Sequence, residues 1–81
     1  MWYDYIGSEQ CGWRLIRKGD FISGMYNYIN HKKENLFPEW LEYAESFIES
    51  EQTAVMMRPG DSEFMVIDTN GKIIGTQEFP F

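Results

Sequence analysis

The fold turns on residues 37–50, Phe37-Pro38-Glu39-Trp40-Leu41-Glu42-Tyr43-Ala44-Glu45-Ser46-Phe47-Ile48-Glu49-Ser50. Phe37, Trp40, Leu41, Ala44, Phe47 and Ile48 recur at three- and four-residue spacings. On a helical wheel they form one stripe about 120° wide, which predicts an amphipathic helix with that stripe on the core. Pro38 suits the first helical turn, and Glu39 suits the positive end of the helix dipole. Glu39, Glu42, Glu45 and Glu49 fall on the opposite face, spread along about 15 Å of helix.

Upstream, Asp20 is a good N-cap for a second helix over residues 21–31. There Phe21, Ile22, Met25, Tyr26, Tyr28 and Ile29 cluster on one side, and Lys32 and Lys33 lie at the negative end of the dipole. Gly24 weakens that helix, which implies close packing at that point. Farther upstream, residues 2–6 and 11–17 alternate like strands around the turn-rich Gly7-Ser8-Glu9-Gln10. Downstream, residues 54–58 read as a short strand ended by Pro59-Gly60. Residues 63–69 and 72–79 flank Asn70-Gly71, a strong hairpin signal. A two-residue turn there pairs Thr69 with Lys72, Ile67 with Ile74 and Met65 with Thr76. The expectation is one compact α+β domain over residues 1–81. An antiparallel sheet of four or five strands, in ββααβββ order, carries two amphipathic helices on one face.

The 81 residues are 43% hydrophobic and 17% aromatic, enough for one small core. The formal charge is −6, from 13 acids against 7 bases. Residues 1–33 hold five bases and three acids; residues 34–81 hold two bases and ten acids. Six glutamates and no base lie between Glu34 and Glu51. Such a balance disfavours direct nucleic-acid binding and anionic membranes, and suits a basic protein partner. Cys11 is the single cysteine, so no internal disulfide forms and a reducing compartment is expected. The chain opens Met-Trp-Tyr-Asp, without the basic and apolar regions of a signal peptide. A cytoplasmic location follows, the host cytoplasm of an infected cell included.

Motifs for chemistry are sparse. One His and one Cys twenty residues apart make no metal site, and no cofactor is expected. Gln10-Cys11-Gly12-Trp13 resembles the cysteine neighbourhood of papain-type proteases over four residues. That resemblance implies a Cys nucleophile with a distant His, for which this chain offers only His31; a structural cysteine beside a buried Trp is the expected role. Residues 65–75, from Met65-Val66-Ile67 to Gly75, resemble the opening hairpin of PAS-like sensor domains, but here they stand near the C-terminus and read as a simple hairpin.

The expected function is a non-enzymatic, small acidic inhibitor of the anti-defence or immunity type. It would bind a protein with an Arg/Lys-rich surface, such as a nuclease, a toxin or another nucleic-acid enzyme. Glu39, Glu42, Glu45 and Glu49 would meet the basic side chains, with Tyr43 as an aromatic anchor. Among the other aromatics, Trp2, Tyr3, Tyr5, Tyr26 and Tyr28 are candidates for partial exposure. Two alternatives stand beside this reading: a small-ligand binding or sequestering domain acting as a homo-oligomer, a homodimer included, and a structural or regulatory oligomer component.

Overall fold

The computed structural model describes residues 3–20 and 23–77. Among these the chain is all-β, and the two expected helices are absent. Seven strands form two antiparallel sheets. The first contains β1 (Tyr5–Gln10), β2 (Trp13–Lys18) and β3 (Met25–Ile29), in that order. The second contains β4 (Tyr43–Ala44), β5 (Thr53–Met57), β6 (Phe64–Asp68) and β7 (Ile73–Gln77), also in chain order. An antiparallel bridge between Tyr26 and Leu41 joins them, with Tyr26 N–H donating to Leu41 O (2.8 Å) and Leu41 N–H to Tyr26 O (2.7 Å). No helix among the described residues is long and apolar enough to cross a membrane.

Where a helix is expected over residues 37–50, the chain instead runs irregularly extended, with the two-residue β4 and single bridges at Leu41 and Ile48. Glu42, Glu45 and Ile48 donate their N–H groups to the carbonyls of Met57, Val55 and Thr53 at 3.0, 2.9 and 2.8 Å. Three residues of this segment therefore stand against every two of β5, which is what an extra residue at a β-bulge does. The bulges turn the usual two-residue burial period of a strand into three. Leu41, Ala44 and Phe47 are buried at that spacing, whereas Ile48, expected on the same stripe, is 45% exposed. The apolar pattern was real, but its period came from bulges rather than from helical winding.

The helix expected over residues 21–31 fails for a different reason. Asp20 does cap: its Oδ1 accepts from Ser23 N–H (2.7 Å) and Ser23 Oγ (2.9 Å), and its carbonyl from Gly24 N–H (2.9 Å). The chain then straightens into β3, where Tyr26 and Tyr28 alternate with Asn27 as β-forming residues do. A Cβ at Gly24 would collide with the Asp20 carbonyl, so the close approach read from this glycine is present. Phe21 and Ile22 lie outside the described residues, as do Trp2 of the first expected strand and residues 78–79 of the last.

Asn27 explains how β3 tolerates an irregular neighbour. It is fully buried, and its amide makes four hydrogen bonds. Nδ2 donates to Phe37 O (3.0 Å) and Glu39 O (3.3 Å); Oδ1 accepts from Tyr28 N–H (2.8 Å) and Phe37 N–H (3.3 Å). The side chain thus stands in for a strand partner where residues 37–39 loop out of register.

The two hairpins are present with shifted turns. The first closes at Cys11-Gly12, both at positive φ (55° and 86°), the pairing a two-residue type I′ turn requires. The expected turn at Gly7–Gln10 lies within β1, where the register slips between Ile6 and Glu9. In the second hairpin Met65 pairs with Thr76 as expected, but Ile67 pairs with Ile73. Asp68 Oδ1 accepts from Asn70 N–H (2.9 Å) and Lys72 N–H (3.0 Å), which favours a three-residue loop. Of Asn70 and Gly71, only Gly71 is left-handed, at φ 82°.

The sheets enclose one core of Leu15, Tyr28, Leu41, Ala44, Phe47, Ala54, Met56 and Ile67. Two contacts pin the turn end of the first hairpin to loops of the second half of the chain. Trp13 Nε1 donates to Thr69 O (2.8 Å), and Cys11 N–H donates to Glu49 Oε1 (3.2 Å).

Candidate functional site: an acidic strand beside a tyrosine groove

The three-residue period that buries Leu41, Ala44 and Phe47 also turns glutamates outward. Glu34, Glu39, Glu42, Glu45, Glu49 and Glu51 are all exposed. None of them forms an ion pair with another described residue. The helical row of four carboxylates is not what the chain builds. An extended chain spaces them more widely, at about 3.3 Å of rise per residue before bulges.

Their surroundings differ. Glu39 is the last of the looped-out residues, and its backbone carbonyl accepts from Asn27 Nδ2. Glu42 is held by its N–H on Met57 O. Glu49 sits in the loop between Ile48 and Thr53, where its carboxylate accepts from Cys11 N–H. It also lies 3.9 Å from the Cys11 thiol. Desolvation and the Glu49 charge both push that thiol above its ordinary pKa, which makes Cys11 a poor nucleophile at neutral pH.

Tyr43 and Glu45 come together. The Tyr43 hydroxyl donates to Glu45 Oε2 at 2.6 Å. Desolvation, that hydrogen bond and the carboxylate charge push the Tyr43 phenol up to about 12. Underneath, the Tyr28 hydroxyl donates to Glu45 O at 2.5 Å, and burial drives its pKa up as well. Glu45 is therefore anchored by two tyrosines while its carboxylate stays at the surface.

Beside this pair lies a groove of about 340 Å³, walled by Tyr5, Arg17, Tyr26, Tyr43 and Glu45 over Leu15 and Ala44. Tyr26 and Tyr43 meet at 6.0 Å between ring centroids, and Tyr43 leans on Phe64 at 5.3 Å. The Arg17 guanidinium stands 5.6 Å from the Tyr5 ring centre. Tyr5, Arg17 and Tyr26 are register partners across three strands, so the first sheet presents them as one row. The sequence reading missed Arg17 as a groove residue and named Tyr5 and Tyr26 only as surface aromatics. The signal was the hairpin register, which the helix expected over residues 21–31 concealed.

Aromatic faces, a carboxylate and an apolar floor can hold the stem and head of a long cationic side chain. Among the described residues, no group of three or more His, Cys, Asp and Glu could hold a metal ion. Comparison with protein-family models, curated proteins and solved structures finds no match for this chain.

Proposed function

We propose that this chain is a non-enzymatic acidic docking protein of the inhibitor type, acting in the cytoplasm on a basic surface of a nucleic-acid-handling protein. One observation supports the reading: six exposed glutamates between Glu34 and Glu51, with no base among them and no ion pair to another described residue. Carboxylates left unpaired on the surface attract Arg and Lys over about a Debye length, roughly 8–10 Å at physiological salt. Their main effect is on association rate and partner choice. Tyr43 and Glu45, fixed to each other and to the core, are the rigid contact point within that field. The raised Cys11 thiol is consistent with a non-catalytic role.

The test is binding by the wild-type chain and by a variant with Glu39, Glu42, Glu45 and Glu49 all changed to Gln. The expected result is capture of a basic protein at low salt, released at high salt, with association at least about tenfold slower for the variant. A tyrosine groove that holds a small ligand is the second reading. It is supported if the purified chain carries an ultraviolet-absorbing small molecule and captures no protein.

A further inference from the structure

The first sheet has a second face. Arg14 and Ile29 are register partners and share it, whereas their neighbours Leu15 and Tyr28 point into the core. Two adjoining cavities of about 480 and 340 Å³ open on this side and share Tyr3, Ile29 and Lys33 in their walls. The smaller is also lined by Ile6, Arg14 and His31. Among the described residues no acid lines either cavity, in a chain whose acids outnumber its bases 13 to 7. Two carboxylates belong to neighbouring residues: Glu9, the register partner of Arg14, and Glu34, which accepts from Asn30 Nδ2 at 3.0 Å; neither forms an ion pair with a described residue.

The cations are placed rather than scattered. Arg14 Nη1 donates to Gly7 O (3.1 Å) at the slipped register of β1, which leaves the rest of its fork available. Lys33 stands in a tight turn that Asn30 builds: Asn30 Oδ1 accepts from Lys32 N–H and Glu34 N–H, both at 2.9 Å, and its carbonyl from Lys33 N–H at 3.0 Å. That turn holds Lys33 left-handed at φ 67°, where a glycine would sit without steric cost. A strained lysine at the wall of a cationic cleft is the pattern of a functional position.

We propose that this cleft binds a small organic phosphate, a phosphomonoester with a flat or apolar body. Together Arg14 and Lys33 match the charge of about −2 on a phosphomonoester, and Arg suits its oxygens by fork geometry. Tyr3, Ile6 and Ile29 supply the wall for the organic part. The volumes fall in the ordinary range for small-molecule sites, about 300–1,000 Å³. This cleft shares no lining residue with the groove beside Tyr43 and Glu45, although Asn35 at the start of the acidic segment lines the larger cavity.

The test is a two-dimensional amide NMR titration of the full chain with adenosine monophosphate, with adenosine and inorganic phosphate as separate probes. The expected result is shifts at Arg14, Ile29, Asn30 and Lys33, with the monophosphate binding at least about tenfold more tightly than either fragment. Lys33→Gly should weaken binding about tenfold, while the thermal midpoint is unchanged or rises as the left-handed strain is relieved. Arg14→Gln should weaken it comparably. The proposal is overturned if the monophosphate shifts nothing on this face. It is equally overturned if adenosine or phosphate alone binds as well, or if Lys33→Gly keeps wild-type affinity.

Discussion

Replacing Asn27 by leucine, which has nearly the same size, removes four hydrogen bonds from a fully buried position and changes little else. The groups that lose a partner are Tyr28 N–H, Phe37 N–H, Phe37 C=O and Glu39 C=O. Glu39 is exposed and can recover water, whereas Phe37 is half-buried and Tyr28 is buried. A buried group left unpaired costs about 1–3 kcal/mol, and a hydrogen bond exchanged for water nets about 1 kcal/mol. Leucine returns some apolar burial, so the net loss is about 3 kcal/mol. In a domain this size that lowers the thermal midpoint by about 12–24 °C. Urea unfolding followed by tryptophan fluorescence and far-ultraviolet circular dichroism measures it. A loss below about 1 kcal/mol would refute the claim that Asn27 holds the looped-out residues 37–39 in place.

Other substitutions separate the bulged strand from the helix that the same residues suggest. Phe47→Ala should cost about 3–5 kcal/mol, whereas Ile48→Ala should cost less than about 1 kcal/mol because Ile48 is half-exposed; comparable losses in urea unfolding would favour a helical stripe. Tyr28→Phe leaves the Glu45 carbonyl without its hydroxyl donor and should cost about 1–2 kcal/mol by the same measurement. Tyr28 and Tyr43 should titrate above the ordinary tyrosine value near 10, Tyr43 at about 12, in an ultraviolet absorbance titration. Because their folded pKa values are raised, the stability they add is fully present below pH about 10 and is lost as pH rises beyond it. Tyr43→Phe should remove part of that alkaline loss, and an unchanged profile would count against the Tyr43–Glu45 contact.

Much of the strand content was legible in the sequence, and each failure has a local cause. β5, β6 and the Asn70-Gly71 hairpin follow from alternation and turn chemistry, and the N-terminal hairpin from alternation alone. Its turn was misplaced because Gly7-Ser8 reads as better turn chemistry than Cys11-Gly12, in which a cysteine is left-handed. Residues 37–50 misled because bulges give a strand a three-residue period, close enough to 3.6 to imitate a helix over ten residues. Around Tyr26 and Tyr28 the alternation was present but short, and the Asp20 cap in front of it pointed toward a helix that is absent among the described residues. The acidic character of the segment was readable from composition, but the Tyr43–Glu45 contact was not, because residues two apart do not face each other on the expected helix. The groove formed with Tyr5, Arg17 and Tyr26 was not, since it depends on which strands are neighbours.

The central claim is that the exposed carboxylates of residues 34–51 drive this chain onto a basic protein. The most direct test is a tagged pull-down from nuclease-treated lysate with the wild-type chain and the variant carrying Gln at positions 39, 42, 45 and 49, each washed at rising salt. The account predicts a basic nucleic-acid-handling protein that is retained by the wild type at low salt, released at high salt, and not retained by the variant. A partner held equally by both forms, or one whose retention is indifferent to salt, would contradict it.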